Sequence, residues 1–101
     1  MSEIQSMKQI SKKNGEDKEF FEIDINQRKI EVSISGGAAG IADLYKKNPA
    51  NHEVYVDLEK AKAAIQKYIN FQESRGGKPT EKKTIEISTD DISEMNQYPS
   101  T

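Results

Sequence analysis

The residues with the most direct chemical promise are Gly36, Gly37 and Gly40, in the run "SISGGAAGIADLYKK". A glycine-rich turn between a strand and a helix can bring backbone amides up to a phosphate, and the helix N-terminus adds a favourable field. Gly37 and Gly40 match the last two glycines of a dinucleotide fingerprint, with Ser35 where the first should stand. Twenty residues past Gly37 comes Asp57, at the spacing of a ribose-binding acid. A small phosphate- or nucleotide-binding regulator built on Gly36, Gly37 and Gly40 is therefore one reading. Against it, Asn48-Pro49 stops the following segment after one or two helical turns, and no Gly-Lys-Ser/Thr follows the glycines. The same glycines also serve as a tight turn off a sheet.

Carboxylates are the other abundant reactive type, 17 Asp and Glu against 15 Lys and Arg. They alternate with lysines along solvent-facing positions, without the paired environments that general acid–base chemistry requires. Asp90-Asp91 reads as acid placed at a helix N-terminus after a Thr89 cap, not as a metal pair. Ser33, Ser35 and Ser88 lack a nucleophile elbow or a base nearby in sequence. With no cysteine and one histidine, His52, thiolate chemistry and multi-histidine metal sites are excluded. The expectation is a protein that is not an enzyme and has no cofactor.

The elements that would position these residues follow from apolar periodicity. Phe21, Ile23 and Ile25 alternate with Phe20, Glu22 and Asp24, and Ile30, Val32 and Ile34 alternate with Glu31, Ser33 and Ser35. Two period-two runs around "NQRK" make a β-hairpin. A symmetric turn centred on Gln27-Arg28 sets Asp24 opposite Glu31. Ile41, Leu44 and Tyr45 share a face of a short helix ended by Asn48-Pro49. "EVYV" is a short strand, with Val54 and Val56 on one face and Glu53 and Tyr55 on the other. Asp57 caps the main helix, where Leu58, Ala61, Ile65, Tyr68, Ile69 and Gln72 form one stripe before Gly76-Gly77 and Pro79 end it. "TIEIS" is a last strand, with Ile85 and Ile87 inward.

The expected architecture is α+β, a small mostly antiparallel sheet of about four strands with one main helix on one face. Residues 1–17 are expected as a flexible leader, in which Ile4, Met7 and Ile10 could line a short helix. Residues 18–90 form a single domain, and 91–101 a C-terminal tail with one short helical turn.

If the helix covers the Ile/Val face, the opposite face carries Glu22, Asp24, Glu31, Glu53, Tyr55 and Glu86. Like charges facing each other across strands cost stability, so folding alone gives no reason to gather them. A protein partner with a basic surface supplies one. Interleaving with lysines, as a merely solvated face, is the competing explanation. The near-balanced charge argues against direct nucleic-acid binding. No apolar run approaches a membrane span or a secretion signal, so a cytoplasmic location is expected.

The stretch "EVYVDLEKAKAAIQKYINFQESRGGKP" resembles the strand, helix and Gly-Gly-basic-Pro exit of the Imm1-type bacterial immunity proteins. The matching features are Val54-Tyr55-Val56, Glu59 and Ala61, an aromatic near the helix end (Tyr68 or Phe71), and Gly76-Gly77-Lys78-Pro79. The resemblance spans roughly residues 53 to 87. The strand after the exit carries Ile85 and Ile87 where that family commonly has tryptophan, and this chain is shorter at its N-terminus. The resemblance implies a non-enzymatic protein that binds and neutralises a cognate bacterial toxin, often a nuclease or deaminase, by occluding its active site. A phage or plasmid inhibitor of a host defence enzyme would share that physics.

Overall fold

The computed structural model describes residues 2–10, 18–35 and 44–97. Its centre is the expected hairpin, β2 (Lys18–Ile25) and β3 (Arg28–Ser35). The turn falls at Asn26-Gln27, with φ of 51° and 63°. Two left-handed residues make the two-residue turn whose twist matches that of the flanking strands. The hairpin is therefore centred one position earlier than the symmetric reading, and the register moves by two. Asp24 faces Lys29, and Glu31 faces Glu22 instead. A shift of two leaves every side chain on its expected face.

A strand that the periodicity missed, β1 (Ile4–Ile10), pairs antiparallel with β2, with a bulge between Ile4 and Ser6. Residues 4–10 are thus sheet rather than leader or helix. The fourth strand, β6 (Thr84–Ile87), lies parallel to β3, setting Glu31 beside Thr84 and Ser33 beside Glu86. The sheet order is β1-β2-β3-β6, mostly antiparallel. Parallel neighbours require a long crossover, which here carries the main helix, α1 (Leu58–Ser74).

One face of the sheet and one stripe of α1 form the core. Phe21, Ile23, Ile25, Ile30, Val32 and Ile34 meet Ala61, Ile65 and Ile69 with no exposed surface on any of them. Ile4, Ile85 and Ile87 complete the cluster. Leu58, expected on the buried stripe, is 44% exposed. The helix ends as a Schellman motif. Gly76 has φ +84°, its amide donates to the Glu73 carbonyl at 3.0 Å, and the Gly77 amide donates to that of Gln72 at 2.8 Å.

Two further departures concern the flanks. Tyr45, expected in a helix, opens β4 (Tyr45–Lys47), which pairs antiparallel with β5 (Val54–Val56) in a separate two-stranded ribbon. Asn48-Pro49 is the hairpin loop of that ribbon rather than a helix stop. The Asn48 side chain accepts from the Ala50 amide at 2.8 Å, and His52 takes φ 60° to close the loop. At the other end, α2 (Thr89–Gln97) is longer than a single turn. Its cap is Ser88 rather than Thr89. Ser88 Oγ accepts from the Asp91 amide at 3.1 Å, and Asp91 Oδ2 accepts from the Ser88 amide at 2.9 Å. This reciprocal box, with Ile92 packed on the core and Met95 only 2% exposed, ties down much of the expected tail.

Candidate functional site

The strand registers place Ser6, Lys8 and Ile10 of β1, Phe20, Glu22 and Asp24 of β2, Lys29, Glu31 and Ser33 of β3, and Thr84 and Glu86 of β6 on the face opposite α1. The period-two geometry of each strand is the cause. Among the described residues no helix covers this face, and its residues are half-buried or exposed. Glu22, Asp24, Glu31 and Glu86 are therefore brought together as expected. Glu53 and Tyr55 are not. They belong to the β4–β5 ribbon, outside the four-stranded sheet, although Tyr55 is well exposed at 49%. The glycines of the phosphate-loop reading, Gly36, Gly37 and Gly40, lie outside the described residues.

The face is not uniformly acidic. Lys29 Nζ stands 3.4 Å from Asp24 Oδ1 and 3.7 Å from Glu22 Oε1, while Lys8 Nζ stands 3.5 Å from Glu22 Oε1. Asp24 also accepts from the Ser6 hydroxyl at 2.5 Å. That hydrogen bond, with the charges of Lys29 and Lys8, holds the Asp24 carboxyl below its usual range against a burial cost. The cross-strand ladder Lys8–Glu22–Lys29–Asp24 also relieves the placement of Glu22 opposite Glu31. Sequence reasoning weighed interleaved lysines but placed neither of these two, for separate reasons. Lys29 was hidden by the wrong turn centre, for which the signal was Asn26, a residue tolerant of left-handed φ. Lys8 sat in a segment read as leader.

Beyond the ladder, towards β6, Phe20, Glu31, Ser33, Thr84, Ile85 and Glu86 line a shallow depression. It combines an aromatic ring, two carboxylates and two hydroxyls on a rigid sheet. Such a surface suits contact with a cationic, partly apolar group.

Asp57, the acid of the fingerprint reading, is fully engaged elsewhere. It is 6% exposed. Its Oδ1 accepts from the Glu59 and Lys60 amides at 3.1 and 3.4 Å, and its Oδ2 pairs with Lys46 Nζ at 3.1 Å. It caps α1 and fastens the ribbon to it. The ribbon is further held to the sheet by the Tyr45 hydroxyl, which donates to Glu19 at 2.8 Å.

Among the described residues no group of three or more His, Asp or Glu stands together as a metal site, and no helix is long and apolar enough to cross a membrane. Comparison with known protein families, characterised proteins and solved structures found no match.

Proposed function

We propose that this chain is a non-enzymatic binding protein of immunity type, which neutralises a cognate toxin in the cytoplasm by covering its active site. The observation that carries the reading is the sheet face that no described helix covers, which Glu22, Asp24, Glu31 and Glu86 share with Phe20. A partner with a basic surface would gain association rate and selectivity from those carboxylates. The resemblance over residues 53 to 87 points to the same class. The centre of contact is assigned to the depression holding Phe20 and Glu86, where an aromatic ring adjoins carboxylates on the sheet. Aromatic rings in partly enclosed positions are frequent anchors of such interfaces.

The test is a growth assay combined with capture. A partner captured from the source cells should arrest growth when expressed alone, and co-expression of this chain should restore growth. A folded Glu31→Lys, Glu86→Lys double variant should fail to restore it. Equal protection by the double variant would remove this face from the interface. A captured partner without toxicity would remove the immunity reading.

A further inference from the structure

The open edge of the sheet carries a feature that the face does not need. Among the described residues β1 is an edge strand, bonded to β2 on one side only. The two-residue turn makes Ile25 and Arg28 a hydrogen-bonded pair, so Ile23 and Phe21 also bond toward β3. Asp24, Glu22 and Phe20 then bond toward β1, where their partners are Ser6, Lys8 and Ile10. The backbone groups of Met7 and Gln9 are left pointing away from the sheet. At the start of the edge the protein supplies its own substitute for a neighbour. Gln66 of α1 accepts from the Ile4 amide at 2.8 Å and donates to the Ser2 carbonyl at 2.7 Å. From Met7 onward the described residues supply none.

We infer that a second copy of this chain pairs with this edge, β1 against β1, antiparallel about a two-fold axis at Met7. The strand is nearly its own mirror in sequence. Residues 5–9 read Gln-Ser-Met-Lys-Gln. Antiparallel pairing about Met7 sets Gln5 against Gln9, Ser6 against Lys8 and Met7 against itself, as an isologous interface requires. Charge selects this register. Lys8 of one copy meets Ser6 of the other, whose hydroxyl already holds Asp24, so the ammonium arrives beside a carboxylate. Pairing about Lys8 instead would set the two lysines face to face, which is unfavourable. The axis stands perpendicular to the sheet, so the two sheets join as one of eight strands. Both uncovered faces then lie on the same side, and both copies of α1 on the other.

Pairing over about five residues buries less than a standard interface, so association should depend on concentration across roughly 10 µM to 1 mM. Sedimentation over that range should show the mass rising from 11.4 kDa towards twice that value. Because the chain has no cysteine, Met7→Cys places one thiol opposite its own copy, at a Cα separation of about 5.5 Å that a disulfide can span. Mild oxidation should convert Met7→Cys to covalent dimer. Ser6→Cys alone should cross-link poorly, but a mixture of Ser6→Cys and Lys8→Cys should yield the mixed dimer. Met7→Pro removes an amide directed at the second copy, at the cost of the Met7 packing on the core, and should give a folded monomer of lower stability. Monomer mass throughout the range overturns the inference. So does cross-linking of Ser6→Cys as fast as Met7→Cys, or a dimer that persists in folded Met7→Pro.

Discussion

The Asp57 carboxylate accepts from two amides of the first helical turn and pairs with Lys46, so one side chain holds both the start of α1 and the ribbon. Its two roles can be separated. Asp57→Asn keeps an acceptor for the amides and loses the charge, whereas Asp57→Ala loses both. Asp57→Ala should lower Tm by roughly 5 °C, and Asp57→Asn by less. The pH dependence has a definite sign. Burial pushes the Asp57 carboxyl up, but the Lys46 hydrogen bond, the helix amides and the Lys46 charge together hold it below its ordinary 3.8. A depressed carboxyl contributes stability above its unfolded pKa and loses it as pH falls through the folded value. Lys46 is raised above its ordinary 10.5, chiefly by the hydrogen bond to Asp57, and its share is lost as pH rises through that elevated value. The Tm gap between wild type and Asp57→Asn should therefore be widest between these limits, and should close in acid below 3.8. A gap that stays constant down to pH 2 would show that the ion pair contributes nothing.

At the scale of elements, the hairpin and β1 make opposite demands on the sequence. Gln27 takes φ 63° although it has a β-carbon, a conformation that costs an ordinary residue about 1 kcal/mol. Gln27→Gly should recover about 0.5–1 kcal/mol in urea unfolding, less whatever the unfolded chain gains in entropy. A destabilised Gln27→Gly would mean that the Gln27 side chain contributes more than its strain costs. β1 gives a sharper contrast. If residues 1–17 were a leader, Ile4→Ala would leave stability unchanged. Ile4 is instead 4% exposed within the main core, so its truncation should cost about 2–4 kcal/mol. The bulge explains why this strand resembles a helix in sequence. By inserting one residue between Ile4 and Met7 it returns side chains three positions apart to the same face. Ile4 and Met7 then both meet the core at helical spacing, while Ile10 crosses to the opposite face beside Phe20.

For the whole molecule, the described helices cover only one side of the sheet, and the two sides should answer mutation differently. Ile65→Ala, on the stripe with no exposed surface, should cost about 2–5 kcal/mol. Glu86→Lys on the uncovered side should move stability by no more than about 0.5 kcal/mol. That contrast makes charge reversal a clean probe of binding, since loss of partner would not reflect loss of fold. Reversal at Glu22 or Asp24 is less clean, because it would set lysine against Lys8 and Lys29 across the strands. If edge pairing operates as inferred, the uncovered faces of two copies become coplanar, and a partner could meet eight strands rather than four.

Local patterning determined what depends on neighbours along the chain. Alternating apolar residues specify β2 and β3 wherever those strands lie, and Asp57, the Ala61–Ile69 stripe and Gly76 delimit α1 by capping and periodicity alone. The α+β class and the gathering of Glu22, Asp24, Glu31 and Glu86 on one face followed from these. Tertiary structure decided which strand lies beside which, and in what register. The Asn26-Gln27 turn set Lys29 against Asp24, and β1, pairing antiparallel with β2, set Lys8 against Glu22. The ribbon formed because Tyr45–Lys47 found a neighbour in Val54–Val56, which took Tyr55 and Glu53 away from the sheet. An alternation pattern names the face a side chain occupies, but not the strand beside it. Charge pairing, and with it the character of the candidate site, is a property of those neighbours.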